Sequence, residues 1–185
     1  MNYRITAVPV FIFCFAFYSC KDRSNSIAET IEAHPNALHI ASNEGTKWNV
    51  LGSKITGKIL SKDTHGAYSV IITETPPNGG PPKHIHTHED ELFYVLQGHY
   101  EFTNGDELIS AKQGDIIHLP KGKAHTFKNI DTITGITMNT ITPGGFERFF
   151  ADVSSLSKKK SFGKKQIDSL AKSYEIKFLK SDSNE

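Results

Sequence analysis

The sequence predicts an all-β domain, an antiparallel sandwich or barrel of short strands. Between Ile55 and Thr142, β-branched or aromatic runs alternate with turn residues, as is typical of antiparallel architectures. Within this region, Asn104-Gly105 separates two such runs and predicts a tight β-hairpin. A helical pattern is found only after this region: Gln166–Tyr174 carries apolar residues at helical intervals.

The predicted elements follow in order. Trp48-Asn49-Val50-Leu51 is the first stretch with buried character. The strands after it are Ile55–Leu60, Ala67–Thr75, Leu92–Leu96, Tyr100–Thr103, Asp115–Leu119, His125–Lys128 and Ile133–Ile141. The helix Gln166–Tyr174 precedes a last alternating segment, Glu175–Leu179, which predicts a strand.

The segment Leu92–Leu96 is apolar on both faces of its strand. If Glu91 points into the interior, every second residue after it does the same, and the residues between face outward: Leu92, Tyr94 and Leu96. A strand that is apolar on both sides needs cover on both sides. The N-terminal strand, the C-terminal helix or a second subunit would supply it, so a homodimer is one hypothesis.

Length and charge limit the remaining possibilities. The 185 residues suffice for one domain with a proper core, and the formal net charge is +1. No phosphate-binding loop, dinucleotide fingerprint or repeat occurs, and no nucleic-acid partner is expected. The lysine-rich stretch Ser157–Lys165 is interpreted as a solvated tail or linker.

The N-terminus predicts export. Arg4 precedes an apolar run, Ala7–Tyr18, that is too short to span a bilayer as a helix and is typical of a secretory signal. Its end, Ser19-Cys20 followed by charged residues, resembles a bacterial lipoprotein signal in which Cys20 would be lipidated and become the first mature residue. An uncleaved anchor and an ordinary signal are the alternatives. Because Cys14 would leave with the signal, no thiol would remain for a disulfide.

These observations divide the chain into four parts. We expect a signal peptide at residues 1–19, a tether at 20–37, a barrel at 38–150 and a C-terminal extension at 151–185. The expected location is the bacterial cell envelope, with the protein lipid-anchored to a membrane on its periplasmic or outer-surface side.

Two clusters of residues predict a metal site. The first consists of His84, His86, Glu91 and Gly98, and the second of Gly114, Pro120, Gly122, His125 and Asn129. Three imidazoles and one carboxylate are ligands for a divalent transition metal. Alternation along a strand puts His84 and His86 on one face. Four protein ligands on a six-coordinate metal leave two open positions, which suits reactivity better than a closed structural site.

His88 offers a second register, because it continues the same alternating series. The pair His86 and His88 would then be the ligands, but Glu91 would lie too close to its histidine for the motif. All three cannot bind one metal from a regular strand, since His84 and His88 lie about 13 Å apart at about 3.3 Å per residue. We favour His84 and His86, with His88 at the rim of the pocket.

The clusters resemble the two motifs of the cupin family, with the short gap of small bacterial members. One position departs, since Asn78 stands where a glycine is expected. Gly79–Pro82, Glu89–Leu96 and Thr142–Phe150 also resemble a bacterial group similar to quercetin dioxygenases. The resemblance covers roughly Asn49 to Leu179. It implies a jelly-roll barrel, a double-stranded β-helix, with a short C-terminal helix–strand extension.

The resemblance also implies a function. It implies a dioxygenase acting on a phenolic or enolic, flavonol-like small molecule, with Glu91 both a ligand and the acceptor of the substrate's hydroxyl proton. The metal ligands would be His84, His86, Glu91 and His125. These ligand types do not distinguish iron, manganese, nickel, cobalt, copper and zinc. Candidates for an apolar pocket wall, or simply core, are Phe93, Val95, Phe102, Ile117 and Phe127.

Two other functions use the same residues. One is a cupin isomerase or lyase, in which the metal serves as a Lewis acid without oxygen consumption. The other is a lipoprotein that binds a small ligand and has no catalytic activity. Fold alone does not decide between these hypotheses.

Overall fold

The structure is a computed structural model, and it describes residues 37–159 and 162–179. The predicted signal peptide, Cys20 and the tether up to residue 36 lie outside the described residues and stay predictions. Among the described residues, no helix is both long and apolar enough to cross a bilayer.

The described part contains eleven strands and two α-helices. In chain order these are β1 (Thr46–Val50), β2 (Ser53–Ile59), β3 (Ser69–Thr75), β4 (His84–His86), β5 (Asp90–Gln97), β6 (His99–Asn104), β7 (Glu107–Lys112), β8 (Ile116–Leu119), β9 (His125–Asn129), β10 (Gly135–Thr142), α1 (Glu147–Leu156), α2 (Lys164–Ser173) and β11 (Ile176–Phe178).

The strands form two sheets, and every strand pair is antiparallel. The larger sheet has the order β1-β2-β3-β10-β5-β8, and the smaller has β11-β4-β9-β6-β7. This arrangement confirms the predicted all-β jelly roll with its helix–strand extension. The predicted hairpin joins β6 to β7, where Gly105 has the positive φ of 66° that a tight turn requires.

Strand β5 confirms the predicted alternation. Phe93 and Val95 are buried, whereas Leu92 and Leu96 face outward with 40% and 37% of their surfaces exposed. The inward residues join one of two core clusters, made of Phe93, Val95, Tyr100, Phe102, Ala111, Ile117 and Leu119. The second cluster lies under the helices and includes Trp48, Ile71, Ile141, Phe149 and Val153.

Helix α1 was not predicted, although it has a clear apolar stripe. Phe149 and Val153 lie four positions apart and are both buried, so they fall on one face of the helix. That face packs in the cluster around Trp48. The helix crosses residue 150, the position where the sequence suggests the end of the barrel.

Glu147 ties the start of α1 to the larger sheet. Its Oε1 accepts hydrogen bonds from the backbone N–H and the hydroxyl of Ser61, at 2.9 and 2.6 Å. Its Oε2 accepts from the Ser69 hydroxyl and the Gly145 N–H, both at 2.8 Å. Burial raises the pKa of this carboxyl, but the hydrogen bonds outweigh that effect and hold the pKa below its usual value of 4.5.

This network predicts a pH-dependent contribution to stability. We expect Glu147→Gln to lower the free energy of unfolding by about 2 kcal/mol, because amide hydrogens would face two of the donors. Since the folded pKa is depressed, the wild-type advantage is complete well above pH 4.5 and disappears as the pH falls through the folded pKa. Denaturant unfolding of the wild type and of Glu147→Gln at several pH values above and below 4.5 measures this difference in the free energy of unfolding. Glu107→Gln, at an exposed position of β7, is the matched control, and an equal loss there would contradict the assignment.

Candidate metal centre

Three strands from both sheets supply the four predicted ligands. His84 and His86 are the first and last residues of β4, and His125 begins β9 directly opposite His84. Glu91 is the second residue of β5 in the other sheet. All four side chains are buried, and one donor atom from each lies within 4.8 Å of the others. The structure therefore brings the four residues to one place.

The distances within the cluster are short. The Nε2 atoms of His84 and His86 lie 3.1 Å apart. Glu91 Oε2 lies 3.2 Å from His125 Nε2 and 3.7 Å from His86 Nε2. The rings of His86 and His125 are stacked, with centroids 5.4 Å apart. The Nε2 atoms and the carboxylate oxygen thus converge on a common centre.

Backbone carbonyls bind the Nδ1 atoms of two of the three rings, those of His84 and His125. His84 Nδ1 lies 2.8 Å from the Pro82 carbonyl, and His125 Nδ1 lies 3.0 Å from the Lys123 carbonyl. Since a carbonyl only accepts, both Nδ1 atoms carry the proton and donate, which leaves a lone pair on each Nε2. His86 Nδ1 faces Glu89 Oε2 at 3.4 Å. Such partners fix the ring orientation of metal-binding histidines.

The electrostatics of the cluster favour a positive charge beside Glu91. Burial, together with the neighbouring His86 and His125, lowers the pKa of His84 from 6.5 to about 3. Burial would raise the pKa of Glu91, but the histidines outweigh it and hold that pKa at about 2. Burial lowers the pKa of His86, and the charges of Glu91 and Glu89 more than compensate, so the net shift is upward.

The residues fit a divalent transition metal. Metal–nitrogen bonds of about 2.1 Å place neighbouring ligand atoms about 3 Å apart, close to the 3.1 and 3.2 Å found here. His125 Nε2 is buried without a hydrogen-bond partner among the described residues. Lone pairs that converge on a buried carboxylate repel one another unless a cation lies between them. The cluster could therefore bind a metal, whose identity the ligand types leave open.

Three further residues of the sequence motifs lie outside the cluster. His88 lies outside the cluster, is exposed, and pairs with Glu175 at 2.8 Å, as expected for the favoured register. Asn129 donates from Nδ2 to the carbonyls of Thr75 and Ile133, at 2.9 and 2.8 Å. Gly122 has a φ of 76°, a backbone conformation that glycine adopts without strain.

A cavity with an aromatic wall opens beside the cluster. Its volume is about 90 Å³, which is room for several water molecules. Of the predicted wall residues, Phe93 and Phe127 line it, whereas Val95, Phe102 and Ile117 contribute only to the core. The sequence did not reveal the rest of the wall, which includes Phe146, Phe149, Phe150, Ile176 and Phe178.

The C-terminal strand closes this site. Strand β11 pairs with β4, so that Ile176 lies opposite His86 and Phe178 opposite His84. The Phe178 ring lies 6.2 Å from the His84 ring, and the Phe146 ring meets His86 edge-on at 4.4 Å. Within the described ranges, β4 pairs with β9 only through His84 and His125, and with β11 through three residues. Strand β11 therefore supplies most of the backbone pairing of β4.

Fold and site together define a class of protein: a small jelly-roll barrel with a candidate mononuclear metal centre of three histidines and one glutamate. Residues 71–136 match the family model described as "Cupin domain". The structure is similar to a predicted oxalate decarboxylase from Thermotoga maritima, with a TM-score of 0.52 at 20% identity, over 57% of this chain and 99% of that chain. The chain therefore has the cupin fold.

The chain is also similar in sequence to two other proteins. The quercetin 2,3-dioxygenase of Bacillus subtilis (strain 168) is 26% identical over 129 residues, which are 69% of this chain but 38% of that protein. A probable germin-like protein of Arabidopsis thaliana, subfamily 2 member 5, is 29% identical over 165 residues, covering 86% of this chain and 74% of the plant protein. The chain thus spans well under half of the Bacillus protein.

Proposed function

We propose that this protein is a metal-dependent dioxygenase that acts on a small phenolic or enolic molecule, of which a flavonol is the model. One observation carries the proposal: the buried cluster of three imidazoles and a carboxylate opens into a cavity walled by aromatic side chains. The distant similarity to a quercetin 2,3-dioxygenase supports the same chemistry.

His84, His86, Glu91 and His125 would hold the metal. When bound, a divalent transition metal would act as a Lewis acid toward a substrate oxygen and support reaction of the substrate with dioxygen. The carbonyls of Pro82 and Lys123 keep the His84 and His125 rings oriented with Nε2 toward that centre.

The remaining residues bind the substrate and exclude water. Phe93, Phe127 and Phe146 line the cavity and offer faces and edges to an aromatic ring. Glu91 also lines the cavity. In this proposal its carboxylate would accept the hydroxyl proton of a phenol or enol. The apolar side chains around the cavity exclude water and lower the local dielectric constant, which strengthens electrostatic contacts inside it.

Oxygen uptake tests the proposed reaction. Protein reconstituted separately with iron, manganese, nickel, cobalt, copper and zinc would be mixed with a panel of flavonols in an oxygen electrode. We expect flavonol-dependent oxygen consumption with at least one metal, and none with His125→Ala. Turnover of a panel member without oxygen uptake would assign a Lewis-acid isomerase or lyase instead, and binding without turnover would assign a ligand-binding protein.

We also propose that the protein forms a homodimer through the outer face of the larger sheet. Tyr94 lies opposite Met138 on β10 and Ile116 on β8, and Leu92 lies two residues before Tyr94 on the same face of β5. Ile116 is 65% exposed, Leu92 40% and Met138 36%. Apolar surfaces of this kind are typical of interaction sites.

Sedimentation at high concentration tests this interface. We expect the wild type to be a dimer and Ile116→Lys to be a monomer, because a lysine charge would be buried in the interface. Leu108→Lys is the matched control: Leu108 is 64% exposed on β7 of the smaller sheet and should leave the dimer intact. A wild type that remains monomeric at every concentration would refute the dimer.

A further inference from the structure

The inner face of the larger sheet carries buried polar side chains. Thr73 on β3 and Asn139 on β10 are each 4% exposed, and both line the cavity beside the metal cluster. Among the described residues, neither Thr73 Oγ1 nor Asn139 Oδ1 has a hydrogen-bond partner. An unpaired polar atom in a protein interior costs free energy, so each such atom requires an explanation.

The strand register places these atoms relative to the cluster. Asn139 lies opposite Phe93 on β5 and opposite Ile71 on β3. Its diagonal neighbours two residues along are therefore Glu91 on one side and Thr73 on the other. Diagonal neighbours in an antiparallel sheet are about 7–8 Å apart. Glu91, Asn139 and Thr73 thus form a diagonal line of polar groups that begins at the cluster.

The surroundings of this line are apolar. Ile55, Ile71 and Phe93 line the same cavity from the larger sheet, and Phe127 lines it from the smaller one. A pocket of mainly apolar walls with a few convergent polar groups is the usual form of a small-molecule site, in which the polar groups fix the orientation of the ligand. The cavity therefore has polar groups both at the cluster and beyond it, with aromatic side chains around them.

We propose that Thr73 and Asn139 form a second anchor for the ligand, binding an oxygen substituent that lies about one aromatic ring away from the oxygen at the metal cluster. The inference rests on the proposed function, because the cluster holds the other end of the ligand. A ligand hydroxyl donates to Asn139 Oδ1, and the Thr73 hydroxyl donates to a ligand carbonyl or accepts from a ligand hydroxyl. The ligand class is a small aromatic molecule with oxygen substituents at two separated positions.

This anchor determines which ligand is preferred, whereas the apolar walls contribute affinity for any ring of suitable size. The aromatic walls accept a ring with or without the second oxygen. A site built to hydrogen-bond a hydroxyl, however, strongly rejects the analogue that lacks it, because its own polar groups then stay unpaired. Discrimination between two ligands of equal size is therefore the property that the anchor predicts.

Calorimetric titration of the full-length, zinc-loaded protein measures this discrimination. The probes are 4-hydroxybenzyl alcohol and 4-ethylphenol, which differ by a hydroxyl in place of a methyl group. We expect the wild type to bind the alcohol about tenfold more tightly or better. Thr73→Val and Asn139→Leu should each bring the ratio of the two dissociation constants close to one. Thr137→Val is the matched control. Thr137 is also buried and its hydroxyl has no partner in the described part of the chain, but it does not line the cavity.

Thermal unfolding without ligand gives a second measurement. Because both variants replace an unpaired polar group by an apolar one of similar shape, we expect melting temperatures equal to or above that of the wild type. A purely structural role for either residue predicts a melting temperature several degrees lower, and that result would overturn the anchor. Absence of binding to both phenols would overturn it too. So would equal affinities in the wild type, or a ratio that survives both substitutions, as expected if these atoms only bind water.

The outcome is separable from the proposed reaction. If the zinc-loaded protein discriminates between the two phenols, the anchor proposal stands even when no metal form consumes oxygen with a flavonol. Conversely, if the protein consumes oxygen with a flavonol but does not discriminate between the phenols, the dioxygenase proposal stands and the anchor proposal is refuted.

Discussion

His86→Ala and His125→Ala are expected to lose most of the metal bound by the wild-type protein. Each substitution removes one of three imidazoles whose Nε2 atoms converge with Glu91 Oε2. Loss of a residue that merely supports a ligand costs about 10–100-fold in metal affinity. Loss of a ligand itself should therefore cost at least about 100-fold. Elemental analysis after dialysis and competition with a chelator provide the measurement.

The adjacent His88 supplies the control. It continues the alternating series of His84 and His86 but is exposed and paired with Glu175. His88→Ala should therefore keep the wild-type metal content, and circular dichroism should establish that all three variants are folded. Unchanged metal in both His86→Ala and His125→Ala, or metal lost only in His88→Ala, would refute the ligand assignment.

Glu91→Gln should lower flavonol-dependent oxygen uptake by about 10²–10⁴-fold at saturating metal, the usual contribution of a positioned general base. The amide keeps the shape of the side chain but cannot accept a proton in the same way. It also removes the negative charge that lies 3.2 Å from His125 Nε2, so metal affinity should fall as well. Titrating the metal to saturation before each assay separates these two effects.

Glu107→Gln on the exposed turn-side end of β7 tests whether loss of any carboxylate has the same result. It should retain full activity and metal. A Glu91→Gln protein that, once saturated with metal, consumes oxygen within about twofold of the wild type would show that Glu91 is not the proton acceptor.

The fold was predictable where local patterns and packing agree. Strand β5 alternates inward and outward, and Gly105 lies in the hairpin turn, so both features follow from sequence period and turn chemistry. Helix α1 was missed because Phe149 and Phe150 are aromatic residues typical of strands. Their helical state depends on packing against β1 and on the hydrogen bonds of Glu147, which join residues distant in sequence.

The convergence of His84, His86, Glu91 and His125 could be predicted from their residue types and spacing. The cavity could not, since its wall depends on long-range contacts such as those of Phe178, brought to His84 by the pairing of β11 with β4. Thr73 and Asn139 were missed for another reason. Polar residues that alternate with apolar ones along a strand predict an outward face, whereas here Thr73 points inward and Val70 and Ile72 are only partly buried.

We expect one metal ion to be bound by His84, His86, Glu91 and His125. Anomalous diffraction from crystals of the metal-loaded protein, recorded at the absorption edge of the bound element, would locate this ion. We predict a single strong peak about 2.0–2.3 Å from each histidine Nε2 and from a Glu91 carboxylate oxygen. If elemental analysis finds metal in the protein but no anomalous peak lies among these four side chains, they do not form the metal site.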